Sequence, residues 1–197
     1  EALEIAQQSL KKDVNIDSLN NLGRIHLELN NFDESIKYIT EAINLDPNYG
    51  ESYVLRGAVR YAMKDFNGSI NDYTKAIDLD YCEKVFFARA AAFNKIQEYD
   101  KANNDLDKHL EKNPNDVSAI FIRGLIKAEI GNFLGAIDDY SMLVEKGGFS
   151  EVFYHRGLAH EKNGDLTSAE DDFRNAIEKD KNNTQKYLDA LNRVSKK

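Results

Sequence analysis

An arginine–glycine pair recurs at Arg56-Gly57, Arg123-Gly124 and Arg156-Gly157, and the same phase holds Gly23 and Ala90, so a small residue returns at spacings of 34, 33, 34 and 33. A period of that length makes each interval one supersecondary unit, able to bury its apolar face only by stacking on the next. A second small residue keeps step twelve positions later, at Ser35, Ser69, Ala102, Ala136 and Ala169. A large residue follows after four more, at Ile39, Tyr73, Leu106, Tyr140 and Phe173. Between the two small positions lies a turn followed by an aromatic: NNF at 30–32, KDF at 64–66, QEY at 97–99 and GNF at 131–133, with GDL at 164–166 as the variant.

Each unit reads as helix, short turn, helix, because apolar residues within it recur at three and four. Tyr53, Gly57 and Val59 illustrate the first helix of a unit, and Ile70, Tyr73, Ala76 and Ile77 the second. Two prolines and eleven glycines leave little material for the many tight turns of a strand-rich fold. Asp46-Pro47 and Asn113-Pro114 break the chain between units, since a residue before proline avoids helical dihedrals. Glycine inside a helix costs about 1 kcal/mol relative to alanine. Ala90 shares its phase, so the position demands smallness rather than unusual dihedrals, as where two helices approach closely.

These spacings resemble the tetratricopeptide repeat over Ile16 to Lys181. The resemblance implies an all-α, right-handed superhelical solenoid of helix-turn-helix repeats, an α-α superhelix forming one continuous domain. Its repeats are expected at 16–49, 50–82, 83–116, 117–149 and 150–183. Residues 1–15 are expected to end a truncated preceding repeat. Residues 184–197 are expected to form a capping helix with Tyr187, Leu188, Leu191 and Val194 on its apolar side, the polar outer face that ends a solenoid in water. The pattern departs from the family at His109 and Leu143, which stand where Ala42, Ala76 and Ala176 conform, and at Gly147-Gly148, which replaces a proline.

The repeats also predict a pairing. Arg56, Arg89, Arg123 and Arg156 share one phase, and sixteen residues on stand Asp72, Asp105, Asp139 and Asp172. The first repeat has Leu22 and Tyr38 instead, so arginine and aspartate are present together or absent together. Pairing within each repeat follows, with the guanidinium fork meeting a carboxylate in a partly buried seam. The competing readings are independently solvated charges and an arginine row for an anionic ligand.

No constellation for catalysis, metal or cofactor is expected. His26, His109, His155 and His160 form no helical HExxH pattern, and His155 and His160, five apart, do not share a helical face. Cys82 has no histidine near it in sequence. Adjacent acids such as Asp138-Asp139 and Asp171-Asp172 diverge on a helix, and Gly147-Gly148 reads as a helix cap. A net charge of −8 has the wrong sign for phosphate, so no nucleic-acid partner is expected. No apolar run approaches a membrane span, so no insertion is expected either.

The resemblance implies a concave surface of stacked first helices that holds a peptide. The matching positions, three residues before each small residue and one after it, give Asn20, Arg24, Val54, Ala58, Phe87, Ala91, Phe121, Leu125, Tyr154 and Leu158, and between them come Leu55 and Ile122. The carboxylate clamp of chaperone-tail binders is not matched. Lys84 supplies one element, but Leu55 and Ala88 replace polar ones, and Asn20 and Arg24 replace lysine and asparagine. The expected activity is therefore a protein-interaction scaffold whose apolar groove takes a partner peptide or amphipathic helix. The alternatives are a homodimer burying the groove, or a non-catalytic piece of a larger enzyme.

Overall fold

A computed structural model describes residues 3–6, 8, 13–81, 84–181 and 184–196. Cys82, and residues 1, 2, 7 and 9–12 of the segment expected to end an earlier repeat, lie outside the described residues. All regular structure among the described residues is helical. Packing groups the chain into two compact units, 1–109 and 110–197.

The first unit contains α1 (Ile16–Glu28), α2 (Phe32–Leu45), α3 (Gly50–Ala62), α4 (Phe66–Asp78), α5 (Lys84–Lys95) and most of α6 (Tyr99–Lys112). Helices pair as α1 with α2 and α3 with α4, and each pair meets the next through α2 against α3 and α4 against α5. The second unit contains α7 (Val117–Glu129), α8 (Phe133–Glu145), α9 (Ser150–Asn163), α10 (Leu166–Lys179) and α11 (Gln185–Val194). Here α7 pairs with α8 and α9 with α10, joined by α8 against α9 and closed by α10 against α11.

The turns inside the helix pairs share one construction. Asn30, Lys64, Gln97, Gly131 and Gly164 all have positive φ, between 50° and 90°. The next residue donates its N–H to the carbonyl five back, as in Asn31 to His26, Asp65 to Arg60 and Asn132 to Lys127, each 2.8 Å. This is the glycine-favouring helix stop. That same residue then caps the following helix: Asp65, Asn132 and Asp165 accept from the N–H three positions on. The aromatic read from the sequence is the first helical residue. Lys64 and Gln97 hold a left-handed conformation that only glycine adopts freely. Lys64→Gly should therefore stabilise the protein by about 0.5–1 kcal/mol, after subtracting glycine's larger unfolded entropy; a urea midpoint checks it.

The in-phase glycines are explained by what faces them. A Cβ at Gly57 would lie 2.7 Å from Cε1 of Tyr73, at Gly124 2.7 Å from Cε1 of Tyr140, and at Gly157 2.7 Å from Cε1 of Phe173. The close approach is thus the large residue of the same repeat's second helix, sixteen residues on: a ring at these three, and Ile39 opposite Gly23. Where the phase holds Ala90, the sixteenth residue is Leu106 rather than a ring. Gly124→Ala should cost about 1–3 kcal/mol by overpacking, despite alanine's better helix propensity. Combining it with Tyr140→Leu recreates the third repeat's pair and should recover most of that loss, which thermal unfolding of the three variants measures.

At the C-terminus Tyr187, Ala190 and Val194 are the buried side of α11, and Leu191 is partly buried. Leu188, expected on that side, faces outward at 38% exposure. The buried stripe runs through positions 187, 190 and 194, leaving Leu188 turned away. Ala190, small enough to sit against Phe173, fills the place assigned to it.

Candidate functional site

The seam between paired helices is built from the arginine and aspartate phases. Arg56 donates to Asp72 from Nε at 3.0 Å and Nη2 at 2.7 Å, and Arg89 to Asp105 at 2.7 and 2.8 Å. Arg123 donates to Asp139 at 3.0 and 2.5 Å, and Arg156 to Asp172 at 2.9 and 2.7 Å. The aspartates are buried. Two further features were not read from the sequence. The remaining guanidinium nitrogen reaches a hydroxyl on the preceding repeat: Arg89 to Thr74 at 2.9 Å and Arg156 to Ser141 at 3.1 Å. A second cation one helical turn after the arginine also meets the aspartate: Arg60 lies 2.7 Å from Asp72, and Lys127 2.9 Å from Asp139. His160 stands 3.9 Å from Asp172 in the same phase. The signal was legible in the spacing of Thr40, Thr74 and Ser141 and of Arg60, Lys127 and His160. In the first repeat, where Tyr38 replaces aspartate, His26 of that phase stacks on its ring at 5.4 Å.

The groove positions divide. Asn20 is a correction: it is buried, donating to Ser52 Oγ at 2.9 Å and accepting from that hydroxyl at 3.0 Å. Its amide ties α1 to α3 and is held away from the surface. Arg24 is exposed and paired with Glu51 at 2.8 Å. In the first unit Val54 and Leu55 on α3 are half-buried against a core of Ile39, Tyr53, Val59 and Tyr73, with Ala88 beside them. Ala58, Phe87 and Ala91 are likewise half-buried, and the Phe87 ring sits 5.4 Å from His109. The Lys84 side chain lies outside what the structure describes.

In the second unit Phe121, Ile122 and Leu125 on α7 and Tyr154 and Leu158 on α9 are half-buried. Phe121 packs within 6 Å of Tyr140, Phe149 and His155. Tyr154 and Leu158 lean on the core that α11 completes. That helix is tied down by residues the sequence reading passed over: Glu151 pairs with Lys186 and accepts from the Tyr187 hydroxyl at 3.2 Å, and Arg193 pairs with Glu161 at 2.6 Å.

Between α7 and α9 opens a pocket of about 370 Å³. Its apolar walls are Leu125, Ala128, Phe133, Leu158 and Ala159, and its polar members are Tyr140, His155, Glu129 and Lys162. Burial lowers the His155 pKa below the ordinary histidine value, against the raising effect of Glu151, so the ring is neutral at pH 7. Burial raises the Tyr140 phenol, with the Asp139 charge adding to it. No group of three potential metal ligands occurs among the described residues.

The tetratricopeptide repeat family model matches residues 16–49, and a second tetratricopeptide repeat model matches 150–183. Those two stretches are tetratricopeptide repeats. It is 26% identical over 181 residues to human tetratricopeptide repeat protein 6, covering 85% of this chain and 33% of that protein. It is 27% identical over 188 residues to TPR repeat-containing protein MJ1428 of Methanocaldococcus jannaschii, covering 89% and 33%. The chain thus spans about a third of the length of these curated relatives. Among solved structures, YrrB, described as a TPR protein with an unusual peptide-binding site, superposes with a TM-score of 0.86 at 18% identity over all of both chains. The MamA protein superposes with a TM-score of 0.78 at 24% identity, covering 83% of this chain and 91% of that one. At these identities the structures speak to fold alone. Tetratricopeptide repeats form protein–protein interaction scaffolds and are typically non-catalytic. No described helix is long and apolar enough to cross a membrane.

Proposed function

We propose that this chain holds a peptide or amphipathic helix of a partner protein against the apolar faces of its first helices. The observation that carries this reading is the pocket between α7 and α9, where half-exposed Leu125 and Leu158 border a cavity large enough for a partner side chain. A ring of apolar walls with a few polar groups is the usual composition of a recognition pocket. In the first unit, Leu55, Ala58, Phe87 and Ala91 offer a second apolar face of the same kind. The repeat phases speak against a carboxylate clamp: Leu55 and Ala88 carry no donor, and the amide of Asn20 is already bonded to Ser52. The YrrB description supports peptide recognition as a use of this fold.

Light scattering of the parent, Phe121→Glu and Leu125→Glu tests who covers the face. A monomer in all three, with helicity retained, is the expected result. A concentration-dependent dimer dissolved by the substitutions would assign the face to a second copy of the chain. Loss of helicity in both variants would make these residues core and remove the groove.

A further inference from the structure

The Tyr140 side chain is fully buried, yet its hydroxyl has no hydrogen-bond partner among the described residues. Buried hydroxyls in native proteins are as a rule satisfied. The ring runs along α7 at Gly124, whose would-be Cβ lies 2.9 Å from the ring's Cζ. Tyr140 is itself part of the pocket's lining, together with Leu125 and Ala128 of α7. The helix pair does not require this hydroxyl, because Ile39, Leu106 and Phe173 fill the same phase without one.

We propose that the pocket receives a neutral hydrogen-bond acceptor of a partner peptide, a backbone carbonyl or side-chain carboxamide beside an apolar group, with the Tyr140 hydroxyl as its donor. This rests on the groove reading above and specifies its centre. The acceptor is neutral because the lining balances its charges. His155 is uncharged at neutral pH, and Lys162 is matched by Glu129, so nothing buried there offsets the desolvation of an anion. The tyrosine acts as donor because burial holds its proton well above the ordinary phenol range. A volume of about 370 Å³ suits a ring-sized group with one polar end.

Three probes of similar shape test this by amide NMR titration of the whole chain: acetophenone, ethylbenzene and benzoate. Acetophenone should shift the amides of Leu125, Ala128, Leu158 and Ala159 and saturate at about tenfold lower concentration than ethylbenzene, one hydrogen bond's worth. In Tyr140→Phe that preference should vanish while ethylbenzene binding stays. Phe173 shows that the phase accepts phenylalanine, and the Tyr140 Cζ resonance of the unaltered protein, moving with acetophenone but not ethylbenzene, is an independent readout. Equal binding of acetophenone and ethylbenzene would overturn the donor role, as when a water keeps the hydroxyl. A preference that survives Tyr140→Phe, or tightest binding of benzoate, would overturn it too. In each of those outcomes the groove reading stands. Absence of any shift at these amides would overturn both.

Discussion

Replacing Arg89 with methionine is expected to destabilise the protein by about 3–5 kcal/mol, the usual cost of leaving a buried charge without its partner. Asp105 is 1% exposed and takes both of its arginine bonds from Arg89. The position one turn after the arginine, which elsewhere supplies a second cation, is Phe93 in this repeat and lies 5.6 Å from the Arg89 guanidinium. Arg56→Met should cost less, about 1–2 kcal/mol, because Arg60 remains 2.7 Å from Asp72. Urea unfolding of the two variants measures the difference. Arg89→Met combined with Asp105→Leu should recover most of the loss, since an apolar pair of similar volume carries no desolvation cost. Equal losses at Arg56 and Arg89 would show that the second cation contributes nothing.

Tyr187→Ala is the other large effect, about 3–5 kcal/mol for truncating a buried aromatic. Tyr187 is fully buried against Phe153 and Ala176, and its ring lies 5.3 Å from that of Tyr154. Its hydroxyl also reaches Glu151, so the substitution loosens the end of the Lys186–Glu151 link. Leu188→Ala, one residue on and exposed, should change stability by no more than about 0.5 kcal/mol. Thermal unfolding of the two, with hydrogen exchange in α9 and α10, separates a docked terminal helix from a loosely attached one.

The helix-turn-helix units were legible because their small and large residues recur at fixed spacings, and a recurring phase constrains many residues at once. Arginine and aspartate could be matched because the first repeat lacks both. What escaped was contact made by residues outside those phases. Asn20 looked like a groove residue because its phase faces the groove in the resemblance, but Ser52, small and polar, captures it across α1 and α3. Tyr140 was read only as the large core residue of its phase, and that reading says nothing about where its hydroxyl ends. Glu151 and Glu161 anchor α11 through partners more than thirty residues away, with no repetition to reveal them.

The measurement that tests the central claim most directly is selection of short random peptides displayed on phage, against the parent protein and against Leu158→Glu as counter-target. Leu158 borders the pocket without being fully buried. The account predicts enriched peptides that share an apolar residue, carry no required terminal carboxylate, and lose at least tenfold in affinity for Leu158→Glu while that variant keeps its helicity. Enriched peptides that bind parent and variant equally, or that depend on a free carboxylate, would contradict it.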